Sequence, residues 1–241
     1  MTKHAIIIGA QRSGSTSLYN MICNHPDVVS AMPSRPEPKY FLNESCTYKE
    51  YMLNFFSQSN ATEKLCLEKS TSYYESREAG KKIFSVLPNV KCLVILRDPI
   101  YRALSNYSFT VQNGLENRAI NEVFSAEPVS IANRFSTSVN PFNYLRRGCY
   151  AKLIEPYLQI FRGNLKVVFL EELNSSLTQQ GIFDFLDLEL PIENDFPNVN
   201  TGNLIQKNES VIDFLKEFYR PHNQELEQLL DRNINCWDNK R

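Results

Sequence analysis

The chain has 241 residues, 42% of them hydrophobic, and 26 Lys and Arg against 27 Asp and Glu leave a net charge of −1. That length suits one substantial α/β domain over residues 1–241 and is short for two, and the balanced charge gives a nucleic-acid partner no support. No apolar run approaches the ~20 residues of a membrane span and the N-terminus lacks a secretion-signal pattern, so the chain reads as soluble and cytosolic, with no membrane partner.

Ala5 to Ile8 is an unbroken apolar run, as expected of a parallel strand buried on both faces, and Gly9 ends it. After a polar loop from Ala10 to Ser13, Leu18, Met21 and Ile22 fall at helical spacing, with Pro26 past the helix end. A strand, a tight loop and a helix aim free N–H groups and the positive end of a helix dipole at one point, which suits a phosphate or a sulfate. A nucleotide triphosphatase loop reads G-x-x-x-x-G-K-[ST]. Gly9, Gly14 and Thr16 keep that frame, but Ser15 stands where the Lys belongs, and the one cation of the loop is Arg12.

Between Ser30 and Asn43 the prolines at 33, 36 and 38 forbid a regular helix and make a stiff loop that carries Arg35, Glu37 and Lys39 before Tyr40 and Phe41. A short amphipathic helix is expected at 47–58. Residues 64–70 read as a strand with Glu68 and Lys69 at its polar end, followed by a helix over 76–86 closed by Pro88. Cys92 to Leu96 is another apolar strand, from whose end Arg97 and Asp98 emerge. Pro99 suits the first turn of a helix with Asp98 as its N-cap, and Arg102 and Ser105 lie three apart on one helical face within reach of the strand end. In an open parallel sheet, both strand ends then face one crevice.

Residues 113–143 lack periodicity apart from a short helix at 120–125 and form an irregular insertion, a candidate lid or acceptor-binding segment. A helix over 144–161 despite Pro156, a strand at 165–170, a helix at 179–187 and a final helix at 208–231 complete the pattern, with a central, mostly parallel sheet flanked by helices. The six cysteines show no C-x-x-C pair and no metal-ligand spacing with the three histidines. They read as reduced, buried thiols, and no metal is expected.

IIIGAQRSGSTSL and LVILRDPIYRALSNY together resemble the 5′-phosphosulfate loop and the 3′-phosphate motif of the sulfotransferases that use 3′-phosphoadenosine 5′-phosphosulfate (PAPS), especially the bacterial and heparan-sulfate-type branch. The likeness runs over about residues 4–190 and implies a P-loop-like α/β fold. It also implies transfer of a sulfuryl group to a hydroxyl or amine of a small-molecule or saccharide acceptor. Gln11, Arg12, Ser13, Gly14, Ser15 and Thr16 are implied as binding the 5′ end of the cofactor, and Arg97 and Ser105 as binding its 3′-phosphate. Arg12 aligns with a Lys that commonly touches the bridging oxygen as the sulfuryl group leaves. Glu37, in EPKYF, takes the place of the general base, and Glu68 and Lys69, in EKS, match a motif lining the active site. Lys69, with Lys39, is expected to position Glu37 and joins Arg12 and Glu37 in the catalytic set. Asn200, Thr201 and Lys207 are the nearest candidates for a loop closing over the adenosine.

His25 is the rival base, although its place in HPD at a helix end suits a capping or surface role better. Tyr40, Phe41, Tyr73, Tyr74, Phe135, Phe142 and Tyr144 are candidates for an aromatic acceptor pocket. A P-loop kinase or triphosphatase, disfavoured by Ser15, and a catalytically silent adenosine bisphosphate-binding module are the alternatives. Oligomeric state is not readable from the sequence.

Overall fold

The computed structural model describes residues 3–58, 64–87, 89–125, 140–191 and 208–240. In chain order these form β1 (Lys3–Gly9), α1 (Ser15–Cys23), β2 (Val28–Ser30), α2 (Tyr48–Phe55), β3 (Leu65–Lys69), α3 (Arg77–Val86), β4 (Lys91–Leu96), α4 (Pro99–Gln112), α5 (Ile120–Ser125), α6 (Tyr150–Phe161), β5 (Leu165–Phe169), α7 (Ser176–Leu186) and α8 (Glu209–Leu230). The strands make one five-stranded sheet in the order β2-β3-β1-β4-β5, every neighbouring pair parallel.

Alternation along β1 explains why a continuous apolar run is needed there. Ala5 and Ile7 pack on one face with Leu18, Met21 and Ile22 of α1 and Ile182 and Phe183 of α7. Ile6 and Ile8 point the other way, among Ala79 and Ile83 of α3 and Ile154 and Tyr157 of α6. Both faces are covered, so Ala5 to Ile8 are apolar at both parities. A third cluster joins Ala103 and Tyr107 of α4, Phe124 of α5 and Leu215 and Tyr219 of α8 around Tyr144. Chain order reverses at β1, whose neighbours are β3 and β4, so the β1/β4 edge is the switch point at which an open sheet leaves a crevice.

Several expectations need correction. β2 is a strand of three residues, too short to carry a periodic signal. The expected helix at 144–161 begins only at Tyr150, because Arg146–Gly148 form a 3₁₀ turn whose Gly148 lies flat against Tyr219: a Cβ there would sit 2.6 Å from the ring. α7 begins at Ser176, three residues before the expected start. β3 is buried along its whole length, its polar end included. Cys66, Cys92 and Cys149 are buried and in no disulfide, as expected, whereas Cys23, Cys46 and Cys236 are half-buried. Pro88 and residues 126–139 of the insertion lie outside the described residues. At the far end of the chain Trp237 donates from Nε1 to Glu171 Oε2 at 3.0 Å, and Glu171 Oε1 accepts the N–H of Asp98 at 3.3 Å.

Candidate active site

The first loop is compressed between β1 and α1. A Cβ on Gly9 would lie 2.6 Å from Cδ1 of the buried Tyr74, so only glycine lets the strand end there. Arg12 and Gly14 both have positive φ, 66° and 84°, turning the chain back into the helix. Gly14 is the N-cap of α1 and no side chain caps that end, while the N–H groups of Ser17 and Leu18 bond to Gly14 O. The N–H groups of Ser15 and Thr16 are therefore the open first-turn donors, at the positive end of the helix. Ser13 is fully buried under the loop beside Tyr150.

The second corner follows β4. Asp98 Oδ1 accepts the N–H of Ile100 at 2.9 Å and Pro99 opens α4, which is the cap read from the sequence. Tyr150 Oη donates to Arg97 O at 2.8 Å and holds the corner from α6. Ser105, nearly two turns into α4, accepts a hydrogen bond from Arg12 Nε at 3.2 Å, and the Arg12 guanidinium lies 4.9 Å over the ring of Phe109. The two loops meet. Desolvation and then the charge of Arg97 lower the pKa of Arg12, and desolvation lowers that of Arg97 against the opposing pull of Glu171. Nε of Arg97 is buried with no hydrogen-bond partner. A buried guanidinium nitrogen without an acceptor, beside a second cation and open helix N–H groups, fits a ligand carrying anionic oxygens.

The third wall is the proline-rich loop. Glu37 Oε2 accepts the Thr71 N–H and the Thr71 hydroxyl, each at 2.9 Å, and Oε1 pairs with Lys69 Nζ at 3.2 Å. Lys69 also reaches Thr16 Oγ1 at 3.4 Å, so it ties Glu37 to the mouth of the first loop. Gln11 Nε2 donates to Ser72 Oγ at 3.1 Å on the same side. Of the expected site residues, Arg12 is thus linked to Ser105 and Glu37 to Lys69, with Gln11 bonded to Ser72 beside them.

Other residues are elsewhere. Arg102 is fully buried and bonds to Tyr144 O and to Asn106 Oδ1, so it faces away from Ser105 despite their spacing. It belongs to a network in which Arg147 pairs with Glu75 at 2.8 Å and also bonds Asn106 Oδ1 and Asn140 O. Glu68 is also fully buried, its carboxylate taken up by hydroxyl groups, so it does not line the site. His25 is buried against Phe183 and accepts the Asp27 N–H at 3.0 Å, a local turn-closing role. Tyr40, Phe41, Tyr73, Tyr74 and Tyr144 are core rather than pocket, and Phe142 is half-buried. Phe135, Asn200, Thr201 and Lys207 lie outside the described residues. Among the described residues no three His, Cys, Asp or Glu side chains gather as a metal site, and no helix is long and apolar enough to cross a membrane. Thr71, Ser72 and Tyr150 were not expected at the site; single hydroxyls in a strand-end turn and a helix carry no motif of their own.

The model of the sulfotransferase domain family matches residues 2–229. The chain belongs to the sulfotransferase family. This sulfotransferase is 28% identical over 264 aligned residues to heparan sulfate glucosamine 3-O-sulfotransferase 3B1 of Mus musculus, with 97% of the chain and 64% of that protein covered. It is 32% identical over 163 residues to bifunctional heparan sulfate N-deacetylase/N-sulfotransferase 3 of Homo sapiens, where the match covers 65% of the chain but spans only 18% of the relative's length. In fold the sulfotransferase is similar to a sulfotransferase crystal structure from Alicyclobacillus acidocaldarius, with a TM-score of 0.80, 23% identity and 99% of each chain covered.

Proposed function

We propose that this sulfotransferase moves a sulfuryl group from PAPS to a hydroxyl or amine of a saccharide acceptor, with the glucosamine units of heparan-type chains as the first acceptors to test. The observation that carries this reading is the Arg12–Ser105 hydrogen bond beside the unpaired Nε of Arg97, which draws both strand-to-helix corners to one anion-binding edge. The acceptor class comes from the relatives, which are named as heparan sulfate sulfotransferases.

In this reading Arg97 and Ser105 hold the 3′-phosphate, and the N–H groups of Ser15 and Thr16 with the Thr16 hydroxyl hold the 5′ side. When bound, PAPS supplies an activated sulfuryl group on a phosphate leaving group. Arg12 meets the charge that grows on the bridging oxygen. It does so only electrostatically, because a guanidinium keeps its protons at ordinary pH. Glu37 takes the proton from the acceptor as the new S–O or S–N bond forms and the S–O bond to phosphate breaks. Thr71 and Lys69 fix its two oxygens, and the adjacent prolines stiffen its loop, so little ordering remains to be done when substrate arrives.

The test is transfer of labelled sulfate from PAPS to heparan sulfate from which the N-sulfo groups have been removed, together with calorimetric titration by adenosine 3′,5′-bisphosphate. Transfer with binding supports the reading. Binding without transfer to this or a panel of small hydroxyl and amine acceptors overturns the activity and leaves a nucleotide-binding module.

A further inference from the structure

The buried carboxylate of Glu68 has no part in the chemistry above, yet it stands at the root of the loop that carries Glu37. Its Oε1 accepts the Ser70 hydroxyl at 2.6 Å and the Tyr73 hydroxyl at 2.7 Å, and its Oε2 accepts the Tyr51 hydroxyl at 2.7 Å. Burial raises its pKa, and the three hydroxyl bonds offset that rise only in part. As a carboxylate it can only accept, so all three hydroxyl protons must turn toward it.

That orientation matters on the far side of two of those hydroxyls. A hydroxyl has one proton, and with that proton committed, its lone pairs are left to accept. Ser70 Oγ accepts the Lys39 N–H at 2.9 Å, and Tyr73 Oη accepts the Phe41 N–H at 3.3 Å. Thr71, between them, holds Glu37 itself. Residues 37, 39 and 41 are therefore each gripped from the 70–73 turn, and Ser70 is in turn pinned to β1 through its N–H to Ile7 O at 3.1 Å.

We propose that Glu68 is a positioning residue for Glu37: it directs the protons of Ser70 and Tyr73 so that both hydroxyls accept from the proline-rich loop and fix that loop against the sheet. This rests on the reading of Glu37 as the base. Glu68 touches neither cofactor nor acceptor, and its loss is expected to misplace Glu37 rather than to weaken cofactor binding.

The test compares Glu68→Leu and Ser70→Ala with the unaltered chain by amide hydrogen exchange and by transfer to de-N-sulfated heparan sulfate. Loss of one directed hydrogen bond should speed exchange at the Lys39 amide by about tenfold or more in both variants. The kcat should fall about 10- to 100-fold, while the affinity for adenosine 3′,5′-bisphosphate stays within about twofold of the original. Unchanged exchange at Lys39 in either folded variant overturns the proposal. So does faster exchange spread across β1 and β4, which would mark a general loss of stability. Should Glu68→Leu not fold, Glu68→Met decides in its place by the same Lys39 readout, because Ser70→Ala removes the Lys39 acceptor itself. Glu37→Gln, run alongside, separates the two readings: full activity there removes Glu37 as base, whatever the exchange at Lys39.

Discussion

Arg12 Nε donates to Ser105 Oγ across 3.2 Å although the two residues are 93 positions apart in the chain. The bond joins a loop after β1 to a helix after β4, and those strands are neighbours in the sheet. Their separation is thus set by backbone ladder bonds rather than by the loops themselves. For Arg12→Ala we expect kcat to fall about 10²-fold, with a smaller change in cofactor affinity. Arg12→Lys should recover most of the rate and, because an ammonium can lose its proton and both burial and the charge of Arg97 favour that loss, gain a steeper alkaline decline in activity than the original chain. Steady-state rates across pH check both.

Arg97 and Arg102 differ by five positions and should fail in opposite ways. Arg97→Ala removes the guanidinium whose buried Nε has no hydrogen-bond partner and should weaken adenosine 3′,5′-bisphosphate binding about 10- to 100-fold, with little change in melting temperature. Arg102→Ala takes the buried donors away from Tyr144 O and Asn106 and should cost about 3 kcal/mol of stability, seen in urea unfolding. Equal effects of the two on binding and on stability would contradict the separation drawn here.

Gly14→Ala sets a Cβ 2.4 Å from Leu170 Cδ1 at a φ of 84°, but the clashing atom is the end of a flexible side chain. Gly9→Ala drives a Cβ into the ring of Tyr74, which is buried and hydrogen-bonded to Arg147 O. We expect about 1 kcal/mol of destabilisation for Gly14→Ala and about 3 kcal/mol for Gly9→Ala. Gly14→Ala alone should retain measurable nucleotide binding in calorimetry.

His4 offers a pH test remote from the site, toward the opposite end of β1. It is 6% exposed among the rings of Tyr48, Tyr51 and Phe56, and burial lowers its pKa from 6.5 to about 4. Between those values the unfolded chain binds a proton that the folded chain refuses. Stability is therefore full above pH 6.5 and falls as pH drops toward 4, by up to about 3 kcal/mol from this group. His4→Phe should flatten that part of the curve, read as the difference in urea midpoint between the two chains from about pH 7.5 to about pH 4.5.

Four of the five strands and both corners were legible because each rests on a local signal: an apolar run, a glycine where no Cβ fits, an Asp-Pro that caps a helix. What escaped depends on contacts between distant segments. Spacing alone put Arg102 on the face of Ser105, but the acceptors on Asn106 and Tyr144 draw its head into the interior, and one of those lies 42 residues away. Glu68 beside Lys69 looked like a pair of site charges. Alternation along β3 turns Lys69 toward Glu37 and Glu68 toward Tyr51 and Tyr73, so adjacent residues serve opposite faces. The aromatic residues expected in an acceptor pocket are mostly core, since a ring's size and apolarity give no hint of which side of a loop it fills.

Glu171 spends one oxygen on the indole of Trp237 and the other on the backbone directly after Arg97. The corner proposed to hold the 3′-phosphate therefore shares its anchor with the turn that carries Trp237. Trimming the chain before Trp237 would slacken the second corner while leaving every residue of the nucleotide site in place, so a tail edit would surface as poorer cofactor retention.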